Sequence, residues 1–373
     1  MKPDLSCIPD TGRRRTRRIM LGNVPIGGGA PIAVQSMTKT DTRDVRSTLS
    51  QIRRLEKAGC EIVRLAVPDR DAALSLSRIR RNTSIPIVAD IHFDHRLALE
   101  ALEQGVDGLR INPGNIGGEA KVKDVVRAAK ERGVPIRIGV NAGSLEKDLL
   151  NKHGGATAEA MVESALRHVR ILERLDYSSI KISLKASDIG RTVLASRLLA
   201  EEVDYPFHAG ITEAGGMIPG TVKSSAGLAL LLYRGLADTI RVSLTASPER
   251  EVNIAFLILS GMGLRQRNPN IISCPMCGRC EVDLINLAGR IEKRLETLTA
   301  PLSVAVMGCM VNGPGEAKES DIGVAFGKGK GVIFKAGKII GHYPEDDIVD
   351  VFVHEVKEIA GEWEASPEKK AGK

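Results

Sequence analysis

One pattern repeats along roughly the first 260 residues: a short β-branched run, a polar or glycine-bearing turn, then an amphipathic helix. It predicts strands at 31–36, 61–67, 86–91, 108–112, 135–141, 179–185, 206–212 and 239–245. Helices are predicted between them at 44–58, 69–82, 95–104, 119–132, 158–175, 188–202 and 219–236, with one more at 248–262. The strand segments are too apolar to face water on either side, which marks a parallel sheet covered on both faces. Eight strand–helix units in about 230 residues is the count of a closed (β/α)8 TIM barrel. A doubly wound open sheet has fewer units and carries a glycine-rich loop after its first strand. No such loop is found there. Gly27, Gly28 and Gly29 precede the first strand and read as a hairpin turn at the barrel floor.

A polar linker, 264–270, follows the barrel. Beyond it the pattern changes to a helix at 282–298, short strands at 303–306, 322–326, 332–335 and 338–341, and a closing helix at 346–360. The expected division is therefore a barrel domain 1–263, the linker, and a small α+β domain 271–373 ending in a disordered tail, 366–373. Aromatics are only 3% of the chain, so the core must be built from Ala, Val, Ile and Leu, as in layered α/β proteins. No apolar run approaches the length of a membrane span, and the first ten residues lack the apolar stretch of a signal peptide. A membrane protein, a secreted disulfide scaffold and a disordered chain are excluded, and a cytoplasmic enzyme is expected.

The net charge of +7 fits nucleic acid, an acidic surface or anionic small molecules as partners. The run Arg13-Arg14-Arg15-Thr16-Arg17-Arg18 is the densest basic patch, yet no aromatic residue interleaves it to stack on bases. It is expected to be a solvated lead-in to the segment 19–24, with neither nucleic acid nor membrane as partner.

Catalytic groups of such barrels come from the carboxyl ends of the strands. Here those ends carry Arg64, Asp90 and His92, Arg110 and Asn112, Arg137 and Asn141, Lys185, Glu213, and Arg241 and Ser243. Five cations from five strands converge, and Asp90 with Glu213 cannot neutralise them. An anionic ligand with two phosphates would, and arginine suits bidentate phosphate contact. Asp90 and His92, two residues apart on one strand, point to the same side.

The second domain holds the most specific pattern. Cys274-Pro-Met-Cys277-Gly-Arg-Cys280 is followed by Cys309 inside Met307-Gly-Cys-Met-Val-Asn-Gly-Pro-Gly-Glu316. A zinc ribbon would need a second C-x2-C, and a redox dithiol would not need Cys309. An iron–sulfur cube needs four ligands; four cysteines, or three and an oxygen ligand, are available.

These residues carry a resemblance. The segments 24–38 (VPIGGGAPIAVQSMT), 109–117 (LRINPGNIG), 136–145 (IRIGVNAGSL), 210–216 (GITEAGG), 241–248 (RVSLTASP), 273–279 (SCPMCGR) and 308–317 (GCMVNGPGEA) run in order over nearly the whole chain. Together they make it resemble the bacterial 4-hydroxy-3-methylbut-2-en-1-yl diphosphate synthases of the non-mevalonate isoprenoid pathway. The resemblance implies a barrel joined to a domain with a 4Fe-4S cluster held by Cys274, Cys277, Cys309 and Glu316. It implies reductive ring opening and dehydration of 2-C-methyl-D-erythritol 2,4-cyclodiphosphate, with the diphosphate held by the barrel cations and Asn312 joining the substrate contacts. The family carries Thr where this chain has Cys280. Glu213 is the expected proton donor and Glu316 the exchangeable cluster ligand. Flavodoxin or ferredoxin is the implied electron donor, and a homodimer is expected. A linker of seven residues spans at most about 25 Å, so the cluster domain reaches a neighbour's barrel mouth more easily than its own. An electron carrier with an inert barrel, or a nucleic-acid-binding protein with a structural zinc, would leave the converging cations unexplained.

Overall fold

The computed structural model describes residues 12–112, 115–310, 315 and 319–365. Cys7, Asn312, Glu316 and the tail 366–373 lie outside them. The chain divides into two compact units, one running to Ile258 and the other starting at Leu259.

The first unit opens with an antiparallel hairpin, β1 (Ile19–Leu21) and β2 (Val24–Ile26). Its turn is made by Gly22, at φ 57°, and Asn23, not by Gly27, Gly28 and Gly29, which follow β2. Ile19, Leu21 and Ile26 pack on Ala33, Ile62 and Val88, so the hairpin stops the floor of the barrel with apolar side chains. Gly27 serves a different need: a Cβ there would lie 2.3 Å from the Arg17 carbonyl oxygen.

The barrel follows as β3 (Ala33–Met37), α1 (Val45–Ala58), β4 (Ile62–Ala66), α2 (Arg70–Arg80), β5 (Ile87–Asp90), α3 (His95–Glu103), β6 (Gly108–Ile111) and α4 (Glu119–Arg132). It continues through β7 (Ile136–Asn141), α5 (Lys147–His153), α6 (Ala158–Arg174), β8 (Ile180–Lys185), α7 (Ile189–Glu202), β9 (His208–Ala209), α8 (Met217–Tyr233), β10 (Thr239–Ile240) and α9 (Pro248–Gly261). The strands lie parallel in the order β8-β7-β6-β5-β4-β3-β10-β9. A parallel bridge between Ile182 and Phe207 joins the two ends and closes the ring. Helix starts are written in the sequence: Asp44, Asp69, Asp94, Thr157 and Asp188 each cap the first turn of the helix they precede through a side-chain oxygen. The short α5, within the connection from β7 to α6, has no apolar period and was not predicted.

Two strands are shorter than their patterns. β9 and β10 pair over two residues each, where seven were predicted. Just past them, a Cβ on Gly210 would lie 2.4 Å from the Arg241 carbonyl oxygen, so the chains converge too closely for a regular ladder. The basic run is used at the floor. Arg13 pairs with Asp238 at 3.0 Å, Arg14 lies over the Phe207 ring and donates to the Val203 and Tyr205 carbonyls, and Arg17 pairs with Asp204 at 2.7 Å.

The second unit is a sheet ordered β11 (Asn270–Ser273), β12 (Ser303–Met307), β13 (Ile322–Gly327), β14 (Lys330–Lys335) and β15 (Lys338–Pro344). The first three are parallel and the rest antiparallel. Helices α10 (Leu284–Leu295) and α11 (Glu345–Ala365) cover one face, with Ile291, Val304, Phe326, Ile348 and Phe352 at the centre of that core. β11 begins where the linker was expected to end; only two apolar residues, Ile271 and Ile272, lie between Asn270 and Ser273, too short a run to read as a strand.

Candidate active site

Register decides which side chains meet inside the barrel. Asp90 on β5 pairs with Arg110 on β6, Arg110 with Arg137 on β7, and Arg137 with Lys181 on β8. Laterally paired residues of a parallel sheet face the same side, so these four form one rung across the interior. Arg64 enters from β4, two residues before Asp90's partner Ala66 and so on the same face. The rung lies beneath a cavity lined by Arg64, Asp90, His92, Arg110, Arg137, Asn141, Ser183, Lys185, Thr212, Arg241 and Ser243. Five cationic side chains and one carboxylate therefore face one space.

That carboxylate is shared. Asp90 accepts from Arg110 at 3.1 Å and lies 3.3 Å from Arg64 and 3.5 Å from His92. Burial opposes its ionisation, yet Arg64, His92 and Arg110 hold it well below the usual carboxylate range. Arg110 also stands 2.7 Å from His92 Nε2 and crosses over Gly139, where a Cβ would lie 2.8 Å from its Nε. Gly139 is thus the residue that lets the guanidinium reach the cavity. Arg64 additionally donates to Met37 Sδ at 2.9 Å.

The remaining cations lack a carboxylate of their own in the cavity. Arg137 donates to Ser183 Oγ at 3.1 Å. Burial, then the charges of Arg64 and Arg110, push Arg137 well below its ordinary value. Lys185 is pushed well down by burial and by Arg137 and Arg241. Arg64 falls to about 9, chiefly through burial. Burial lowers Arg241 too, partly offset by Glu251 and Asp90. Cations held this way, dry and mutually repelling, bind an anion strongly because the anion removes the penalty they carry.

The predicted residues separate into two groups. Arg64, Asp90, His92, Arg110, Arg137, Asn141, Lys185, Arg241 and Ser243 come together around the cavity. Asn112 is buried beside it, its Oδ1 accepting from the Gly139 amide at 3.1 Å, so it braces β6 against β7. Glu213 is exposed on the loop after β9, next to the cavity-lining Thr212. Its backbone is left-handed, φ 52°, a conformation that costs a glutamate of order 1 kcal/mol and collects at functional sites. Glu213→Gly is expected to hold or raise the melting temperature while turnover falls; calorimetry beside a rate assay checks both. Lost stability with turnover intact would make this carboxylate a structural group. Ser183 and Lys181 were missed because they lie before the strand end, Thr212 because the neighbouring Glu213 was read as that strand end's group, and Met37 because a thioether carries no polar signal.

In the second unit, β11 and β12 run parallel with Ser273 opposite Val306, so Cys274 and Gly308 leave adjacent strand ends together. The Gly308 amide donates to Cys274 Sγ at 3.3 Å. A Cβ on Gly308 would lie 2.8 Å from Cys280 Sγ and 3.5 Å from Cys274 Sγ, so this position must be glycine for sulfur to pack there. Met276, at φ 65°, turns the loop between Cys274 and Cys277, and Cys277 is exposed. Cys274, Cys277 and Cys280 are free thiols. Among the described residues no three cysteine, histidine or acidic side chains already form a closed metal-binding group. The donor set nonetheless fits a thiophilic centre: sulfurs at neighbouring strand ends, a backbone amide aimed at one of them, and a glycine cradle. Cys60 has no part in this. It is buried in the barrel, its thiol pushed up to about 12 by burial.

A barrel whose mouth sets five cations against one carboxylate, followed by a thiol-bearing α+β unit, defines a class: a barrel enzyme for a polyanionic ligand with a soft-metal or redox domain attached. Comparison narrows the class. The chain belongs to the GcpE family: residues 16–256 match the GcpE TIM-barrel domain and residues 270–358 the GcpE protein C-terminal domain. It is 60% identical to a Geobacter sulfurreducens protein named 4-hydroxy-3-methylbut-2-en-1-yl diphosphate synthase (flavodoxin), over 94% of this chain and 99% of that one. Relatives of the same name from Thermodesulfovibrio yellowstonii and Maridesulfovibrio salexigens are each 57% identical over 92% of this chain, covering 99% and 97% of their own lengths.

Proposed function

We propose that this chain converts 2-C-methyl-D-erythritol 2,4-cyclodiphosphate to 4-hydroxy-3-methylbut-2-enyl diphosphate by reductive ring opening and loss of water, within non-mevalonate isoprenoid biosynthesis. The observation that carries the reading is the cavity: five cations around one carboxylate, in a chain whose near-full-length relatives bear that enzyme's name. Arg110, Arg137 and Arg241 offer planar donor forks to phosphoryl oxygens, and Lys185 offers a point charge. Asp90 and His92 fix the Arg110 guanidinium. Glu213, on the loop beside Thr212, delivers a proton to the substrate.

Cys274, Cys277, Cys309 and Glu316 are the residues that would hold a 4Fe-4S cluster, and Asn312 would join the substrate contacts. When bound, such a cluster supplies two electrons one at a time and Lewis acidity toward the leaving oxygen. The barrel, 1–263, is the substrate domain and 271–373 the cluster domain, joined by 264–270. The relatives' printed names favour flavodoxin over ferredoxin as the electron donor. Among the described residues no helix is long and apolar enough to cross a membrane; a cytoplasmic location belongs to the same proposal.

A homodimer is part of this reading. On α8, Ile218, Val222 and Leu230 are 80%, 65% and 46% exposed along one face, an apolar stripe that a second copy would cover. Val222→Asp combined with Ile218→Asp is expected to shift the protein to monomers in sedimentation velocity. Unchanged dimers would move the interface elsewhere, and a monomeric wild type would remove it.

Anaerobic purification followed by iron and sulfide analysis and an assay on the cyclodiphosphate with reduced flavodoxin tests the whole. Brown protein with about four irons per chain and turnover is the expected result. Colourless protein with zinc and no turnover would defeat the reading.

A further inference from the structure

Beneath the cavity lies a group that the proposed chemistry does not use. Lys181 is 2% exposed, and its Nζ has no hydrogen-bond partner among the described residues. It is the fourth member of the rung Asp90–Arg110–Arg137–Lys181. Along that rung Arg110 takes the carboxylate and Arg137 takes Ser183 Oγ. Nothing is left for Lys181. Its surroundings repeat the pattern. His208 on β9 uses Nδ1 toward Thr239 Oγ1 at 2.8 Å and leaves Nε2 without a partner.

The charged and titratable groups around Lys181 can be named element by element. Arg137 faces it from β7, Lys185 lies two inward positions further along β8, His208 faces from β9, and Arg64 from β4. Asp238, just before β10, supplies the nearby negative charge, but its carboxylate is engaged by Arg13 and by the Phe207 amide. A buried ammonium without hydrogen bonds, among three cations, is unfavourable until an anion arrives.

We propose that Lys181 is a positioning residue that takes up a proton when the diphosphate binds above the rung, adding a positive charge beneath the ligand only while the ligand is present. The inference rests on the reading that the anion occupies this cavity. Burial, reinforced by Arg137, lowers the Lys181 ammonium to about 7, so above that pH it is mostly neutral in the free barrel. A dianion nearby raises its proton affinity, so binding is coupled to proton uptake.

The test is calorimetric titration of the anaerobic full-length protein with the cyclodiphosphate at pH 8, in buffers of different ionisation enthalpy. A cyclic diphosphate has only strongly acidic ionisations and contributes no proton there. Uptake of roughly half a proton or more per ligand is expected for the wild type. Lys181→Met should cut it to the share taken up by the other buried lysine, Lys185, weaken binding about tenfold at pH 6.5, and still fold, because it removes an unpartnered buried amine. Lys181→Arg, which keeps its charge at every pH, should restore affinity with uptake no greater than that of Lys181→Met. Wild-type binding with no proton uptake, or equal uptake by Lys181→Met, would overturn the inference. Failure of the wild type to bind the cyclodiphosphate would instead sink the reading of the cavity, and this inference with it.

Discussion

Arg137→Met is expected to weaken cyclodiphosphate binding by about ten- to a hundredfold and to raise the melting temperature. The loss follows from removing a charge-assisted contact of about 1.5–3 kcal/mol, since each 1.4 kcal/mol is tenfold. The gain follows from the same side chain's burial. Arg137 is 4% exposed, surrounded by Arg64, Arg110 and Lys185, and hydrogen-bonded to a neutral serine. Its folded pKa lies below its unfolded value, so at neutral pH the protonated form costs the fold stability, and an apolar side chain of similar reach removes that cost. Ser183 keeps the Ile138 carbonyl as a partner. Calorimetry of folding and of binding reads both effects on one preparation. Unchanged affinity would mean that the guanidinium does not face the ligand. A lower melting temperature with affinity intact would make it a structural group. A rise in stability with loss of function is characteristic of a binding site that holds strain for its ligand.

The second large effect concerns the proposed cluster ligands. Glu316→Ala is expected to lose most turnover, and one iron with it, whereas Cys280→Thr keeps about four irons per chain and most activity. Cys280 extends the pattern to C-x2-C-x2-C, a spacing that ferredoxins use for three ligands of one cluster. Four thiolates, however, would leave an electron carrier, with no purpose for the cation-lined barrel. The structure adds a local argument. The Cys280 thiol donates to the Val282 carbonyl at 3.4 Å, although it and Cys274 both pack against the core of this unit. It behaves as a small half-buried hydrophobe at the start of α10. Cys274, at the end of β11, receives the Gly308 amide instead, as a thiolate ligand would. Iron and sulfide content and the visible spectrum of both variants, made anaerobically, decide the matter. Loss of the cluster in Cys280→Thr with normal turnover in Glu316→Ala would reverse the assignment.

What the linear chain determined is periodic or local. The alternation of β-branched runs with amphipathic helices specified eight strand–helix units, because the sheet's demand for burial on both faces is written into every strand. Aspartates before α1, α2, α3 and α7 marked their starts, because an N-cap is satisfied within one turn. The cavity's arginines were legible because barrel chemistry sits at strand ends. Tertiary structure decided the rest through neighbours distant in sequence. β9 and β10 shrank because Gly210 brings one chain against the Arg241 carbonyl. Arg13, Arg14 and Arg17 became struts of the barrel floor because Asp238, Tyr205 and Asp204, distant in sequence, are brought to them by closure of the barrel. Glu213 stands on an exposed loop, although its strand-end position suggested a place among the cations. Lys181 joined the rung because strand register alone sets it beside Arg137, and register is a property of paired chains that no single strand contains.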